Sequence, residues 1–166
     1  MVSSTVRSPE TSSFRPNRHN HNSCITSAMQ RADSICQQKG VRFTRIRKRV
    51  LELIWASHRP VLAYDLLKLL RQEKHNAEPP TIYRALDFLL ENRLVHKIES
   101  LNAYVGCHQP QHKHIGQFLI CTDCDQVAEL DDAELKQMIE SKAARTGFVV
   151  THQTVEITGR CPVCRT

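Results

Sequence analysis

No run of about 18 apolar residues occurs in the 166-residue chain, so it holds no candidate membrane-spanning helix. An apolar N-terminal stretch followed by a cleavage site is also missing, and secretion is not expected. Aromatic residues are scarce at 5%, with a single tryptophan, and apolar residues of all kinds reach 40%. That length suits one or two small domains, and small domains need staples beyond apolar packing. Acidic residues are scarce in one half only. Residues 1–60 carry 11 Lys/Arg against 3 Asp/Glu, a net of +8, whereas residues 61–166 carry 12 against 14, a net of −2. A basic front on a near-neutral rear points to a polyanionic partner. The seven cysteines are an odd number. Four of them form two C-x-x-C pairs, which in an unsecreted chain favours metal over disulfides.

Residues 1–22 are rich in Ser, Asn, Arg and His and poor in apolar side chains, so a disordered extension is expected. Its Ser/Arg bias also suits a transit peptide. A first helix is expected from about Ser23, with Ile25, Ala28, Ala32, Ile35 and Cys36 on one face and Gly40 as its stop. A second follows Thr44 as N-cap, with Ile46, Val50, Leu53 and Ile54 as its buried stripe. A third spans about 62–72. After a polar break at Lys74–Pro80, a fourth starts at Thr81 with Ile82, Ala85, Leu86 and Leu89 on its apolar face. Leu94–Cys107 reads as two strands around a turn at Leu101–Asn102. Helices followed by such a hairpin describe a winged helix-turn-helix over residues 23–105. The rear segment, 106–166, reads as a strand at Phe118–Cys121, a strand at Gln126–Leu130, a helix opened by Asp131 and Glu134 and ended by Gly147, and a strand at Phe148–Ile157. The expected class is α+β: a winged helix-turn-helix followed by a smaller α/β unit.

The pairs Cys121–Cys124 and Cys161–Cys164 stand 36 residues apart. Each turn presents two thiolates, and two such turns complete a tetrahedron around Zn²⁺ with no open position, which makes a structural staple. A redox dithiol needs one C-x-x-C at a helix N-terminus, whereas here both pairs flank strands.

A second set of donors surrounds the hairpin. With the turn centred on Leu101–Asn102, His96 is expected opposite Cys107, about 5 Å away on the same face. His108, His112, His114 and Glu129 follow. A mixed Cys, His and Glu set suits zinc better than iron or manganese. The plainer alternative makes His96 a cap on a wing face and the His108–His114 segment a solvated loop.

The run from Ala63 through Thr81-Ile-Tyr-Arg-Ala-Leu86 to Cys107 and Cys124 closely resembles the zinc uptake regulator branch of the ferric uptake regulator family, over about residues 24–164. The resemblance implies a homodimeric, metal-dependent transcriptional repressor, with residues 106–166 as the dimerisation domain. It implies two zinc ions per chain. The structural one falls on Cys121, Cys124, Cys161 and Cys164. The regulatory one falls on His96, Cys107, His114 and Glu129, with His112 as a rival for His114. The fourth helix would enter the major groove, where Arg84 suits guanine, Tyr83 a thymine methyl or phosphate, and Thr81 lies alongside. Arg42, Arg45 and Arg47, with Lys48 and Arg49, would position the phosphate backbone. The expected function is therefore a zinc-responsive cytoplasmic repressor of zinc uptake genes that binds operator DNA as a zinc-loaded dimer, and not an enzyme. The alternatives are an iron- or peroxide-responsive regulator of the same family, a zinc hydrolase using an open metal position, and a zinc-ribbon RNA-binding module.

Overall fold

The computed structural model describes residues 14, 21–57, 59–73, 77–112 and 114–165. Most of the N-terminal extension and the first three residues of the polar break at 74–80 lie outside them. In the front half, α1 (His21–Gln38), α2 (Arg45–Trp55), α3 (Ala63–Glu73) and α4 (Pro79–Glu91) pack with β1 (Val61–Leu62), β2 (Val95–Ile98) and β3 (Ala103–Gly106). The three strands form an antiparallel sheet in the order β1-β3-β2. The expected core stripes meet at one centre: Ala32, Cys36, Val50, Ile54, Leu66, Leu70, Ile82, Leu86 and Leu89 are all buried. Gly40, at φ 64°, closes α1 as its left-handed stop. The amides of Gly40 and Val41 bond the carbonyls of Gln37 and Cys36, pairing two of the carbonyls left over at the helix end.

Several boundaries differ from the sequence reading. Helix α1 begins two residues earlier than Ser23. Strand β1 has no counterpart in the sequence reading. Helix α4 begins at Pro79, because a proline in the first turn gives up an amide that has no helical partner anyway. Thr44 has the extended backbone of an N-cap, but its hydroxyl caps nothing. The hairpin register also differs: His96 pairs with Val105 and Ile98 with Ala103. A three-residue 3₁₀ turn, Glu99–Leu101, followed by Asn102 in the left-handed region, closes the hairpin two residues tighter than a turn centred on 101–102. Cys107 therefore stands just past β3, where its amide bonds the Leu94 carbonyl.

In the rear half, β4 (Gly116–Cys121) lies between β5 (Val127–Leu130) and β6 (Thr154–Gly159), antiparallel to the first and parallel to the second. Helix α5 (Ala133–Arg145) crosses between β5 and β6. Its cap is Asp132, not Asp131: the Asp132 carboxylate accepts the amides of Glu134 and Leu135. The expected strand at Phe148–Ile157 starts only at Thr154. Phe148 and Val149 are 66% and 79% exposed, so the front of the apolar run that suggested a strand lies largely uncovered in the single chain. The buried cluster of this half is small: Phe118 and Ile120, joined by Ile98 from the front half.

Candidate metal centres and nucleic-acid face

Strand β4 ends at the first C-x-x-C turn, and β6 delivers the chain to the second. Because β4 and β6 are parallel neighbours, with Cys121 registered on Gly159, both turns emerge at the same end of the sheet. The four sulfurs of Cys121, Cys124, Cys161 and Cys164 lie within 4.8 Å of one another. Cys124 Sγ is 3.8 Å from Cys161 Sγ. A zinc–sulfur tetrahedron with bonds near 2.3 Å has edges of about 3.8 Å, so the quartet fits that ion. The Cys161 amide donates to Cys121 Sγ at 3.3 Å. That bond holds the Cys121 thiol below its ordinary value, while hydrogen bonds to Cys161 and Cys124 push the Cys164 thiol up to about 12. Four crowded thiols resist shared ionisation, and a divalent ion relieves that cost.

The mixed set converges as well. His96 on β2, Cys107 beyond β3, His114 before β4 and Glu129 on β5 bring their ligand atoms within 4.8 Å of one another. Glu129 Oε1 lies 2.7 Å from His114 Nε2 and 2.8 Å from His96 Nε2. The two Nε2 atoms are 3.1 Å apart, and Cys107 Sγ is 3.5 Å from His114 Nε2. The last distance is what about 2.3 Å to sulfur and about 2.05 Å to nitrogen give around one tetrahedral ion. His112 stays exposed, outside this set. Its carbonyl instead accepts the Nδ1 proton of His114 at 2.9 Å, which leaves Nε2 as the free ligand atom. The His108 amide approaches the other oxygen of Glu129 at 3.4 Å. Neither backbone contact left a signal in the sequence.

Burial opposes charge on His96, but hydrogen bonds to Cys107 and Glu129 outweigh it and raise its pKa to about 9. Hydrogen bonds to Cys107 and Glu129 raise His114 to about 11. Burial favours the neutral acid of Glu129, yet hydrogen bonds from His114 and His96 hold the carboxyl far below its usual range. Against burial, hydrogen bonds to His114 and His96 in turn draw the Cys107 thiol below its ordinary value, and two imidazolium protons balance its thiolate form and the Glu129 carboxylate. A dipositive ion would supply the same balance with both imidazoles neutral.

On α4, Tyr83 is 54% exposed, Arg84 is exposed and Thr81 is half-buried, on the side away from the apolar stripe. Arg42 and Arg45 are exposed, and together with Arg84 they make no side-chain ion pair among the described residues. The rest of the basic run is committed internally. Arg47 lies 3.6 Å above the centre of the Phe88 ring and donates to the Arg42 carbonyl. Lys48 pairs with Asp33 at 2.7 Å, and Arg49 pairs with Glu52 and Glu73.

The sequence model of the ferric uptake regulator family matches residues 38–158. The zinc uptake regulation protein of Escherichia coli (strain K12) is 42% identical over 137 residues, covering 82% of this chain and 80% of that protein. A solved zinc uptake regulator complexed with zinc and DNA is 40% identical, covers 85% of this chain and 95% of its own, and superposes with a TM-score of 0.81. The regulator XcZur has been solved in two forms. Its holo form is 42% identical, covers 84% of this chain and 97% of its own, and superposes at 0.78. Its apo form is 41% identical, covers 86% and 98%, and superposes at 0.50.

Proposed function

Because the chain belongs to the ferric uptake regulator family, we propose that it is a zinc-responsive transcriptional repressor, which binds operator DNA as a zinc-loaded dimer and controls zinc uptake genes. The observation that carries this reading is the mixed cluster. His96 lies on the wing hairpin and Cys107 just past it, while His114 lies just before the rear sheet and Glu129 on it. An ion held there ties the two halves in one orientation.

In this reading His96, Cys107, His114 and Glu129 hold the regulatory zinc, and Cys121, Cys124, Cys161 and Cys164 hold a structural one, making two per chain. When bound, the regulatory ion supplies a dipositive charge that attracts all four donors at once. His112 fixes the tautomer of His114 through its carbonyl. Ile98 and Phe118 seat the wing on the rear sheet. The dimer then presents two α4 helices at a fixed spacing, with Arg84, Tyr83 and Thr81 toward base edges and Arg42 and Arg45 toward phosphates. Arg47 acts at one remove, by stiffening the α2–α4 contact through Phe88. The coupling needs no contact between zinc and DNA. It needs only that zinc favour the orientation that DNA also favours. The higher TM-score against the holo than the apo form of XcZur supports such an orientation here.

The domain division follows: residues 23–105 bind DNA and 106–166 dimerise. Met138, Phe148, Val149 and Ile157 are exposed in the single chain, and β6 is a sheet edge, which supports pairing with a second copy there. No helix among the described residues is long and apolar enough to cross a membrane. A protein that works on operator DNA belongs in the cytoplasm. A hydrolase reading lacks support, because four donors converge and leave no position for a reactive water.

The test is to count zinc per chain before and after a mild chelator, and then to titrate duplex binding against buffered free zinc. The duplex is the one that the zinc-loaded protein selects from a random library. Near two equivalents, one of them resistant to the chelator, and binding that rises with the labile equivalent are expected. Duplex binding indifferent to the labile zinc would overturn the reading.

A further inference from the structure

Glu156 lies on β6, registered beside Phe118. The side chains of registered neighbours share a face, so Glu156 points toward the side of the sheet on which the wing sits. Its two carboxylate oxygens are both used there. Oε1 accepts the Glu99 amide at 2.6 Å, and Oε2 accepts the Ser100 amide at 3.1 Å. These are consecutive amides at the opening of the 3₁₀ turn that closes the wing hairpin, where no capping side chain of the turn itself serves them. A carboxylate bridging two backbone amides is a charge-assisted pair with fixed geometry. It joins residues 56 and 57 positions apart. Burial disfavours its charge, but the Ser100 and Glu99 contacts hold the carboxyl below its ordinary value.

The position matters more than the bond. Three of the points at which the wing meets the rear half bear on its orientation. His96 enters the mixed cluster, Ile98 enters the apolar cluster with Phe118 and Ile120, and the turn at Glu99–Ser100 is gripped by Glu156. Glu156 is not among the metal donors, nor is it on a DNA-facing element. Any swing of the front half away from the rear sheet must pull two amides from one carboxylate and leave them to be solvated again.

We infer that Glu156 is a positioning residue for zinc sensing: a latch that holds the wing tip on the rear sheet and so lowers the free zinc needed to set the DNA-binding orientation. The inference rests on the zinc-repressor reading above. In linkage terms, the latch biases the two orientations before zinc arrives. Losing it makes zinc spend part of its binding free energy on closing the molecule, which raises the apparent zinc midpoint by the same factor.

The test uses the full chain carrying its four-thiolate zinc. Wild type, Glu156→Gln and Glu156→Ala are titrated with buffered zinc. Occupancy is read from the fluorescence of Trp55, whose ring lies 4.9 Å edge-on from His108, next to Cys107. Binding to the selected duplex is read in parallel. Glutamine keeps the shape and one acceptor, whereas alanine keeps neither. The expected midpoint rises about tenfold for alanine and several-fold for glutamine, in that order, in both readouts. Dimer mass and the tight zinc equivalent should be unchanged. Midpoints within twofold of wild type for both variants would sink the latch while leaving the zinc reading intact. A shift confined to alanine and accompanied by loss of the tight zinc would make Glu156 a support of the sheet and would overturn the latch. A wild type whose duplex binding ignores zinc would overturn both.

Discussion

At the scale of single residues, the mixed cluster is a proton store. His96 and His114 have pKa values of about 9 and about 11 without metal, so both are protonated at pH 7. Their raised values stabilise the metal-free fold fully below the unfolded histidine value of about 6.5, and that contribution is lost as pH rises through about 9 and then about 11. Zinc requires both imidazoles neutral, so loading at pH 7 should release at least these two protons, and apparent zinc affinity should rise with pH through this window. Calorimetry of zinc binding in buffers of different ionisation enthalpy reads this directly. A heat independent of the buffer would contradict the assignment of His96 and His114 as ligands. The donor types were legible in the sequence, but the choice between His112 and His114 was not. That choice turns on the course of a short loop, which brings His114 Nε2 into the cluster and sets the His112 carbonyl against its Nδ1.

At the scale of elements, periodicity carried most of what could be read. The apolar faces of α1, α2 and α4 are as expected, because each is decided by residues a turn apart in one stretch of chain. What depended on distant partners was less legible. The hairpin register hung on a 3₁₀ turn with no strong sequence signature. Phe148 and Val149 looked like a strand because β-branched and aromatic residues favour strands, yet a strand forms only where an edge is free to pair. The basic run looked uniform, whereas Asp33, Glu52, Glu73 and Phe88 occupy three of its five members. In the proposed reading the elements divide the DNA contacts accordingly. Arg84→Ala should lose about 1–3 kcal/mol of discrimination between the selected duplex and a scrambled one. Arg45→Ala should weaken both duplexes alike and lower the salt slope by about 1. Arg47→Ala should instead lower thermal stability, since it strips the cation from the Phe88 face. Equal losses on both duplexes for Arg84→Ala would show that α4 does not read bases.

At the scale of the whole molecule, the proposed reading has two clusters of four donors divide the labour. In that reading the thiolate quartet ties β4 to the end of β6, where the buried apolar cluster is small and borrows Ile98 from the wing. Metal binding there is folding free energy. Cys121→Ser or Cys161→Ser should unfold the rear half or dissociate the dimer, seen as loss of dimer mass by sedimentation. A compact dimer lacking that zinc would remove its structural role. The mixed cluster ties the halves to each other, and there the account is most exposed. Cys107 is 2% exposed, is the softest of the four donors, and a serine hydroxyl is a poor substitute at neutral pH. The most direct measurement is duplex binding by wild type and Cys107→Ser across buffered free zinc, with the four-thiolate zinc intact in both. A wild-type curve that rises with zinc and a mutant curve displaced to far higher zinc, from an equally folded dimer, is the predicted result. Coincident midpoints would contradict the account and remove Cys107 from the sensor.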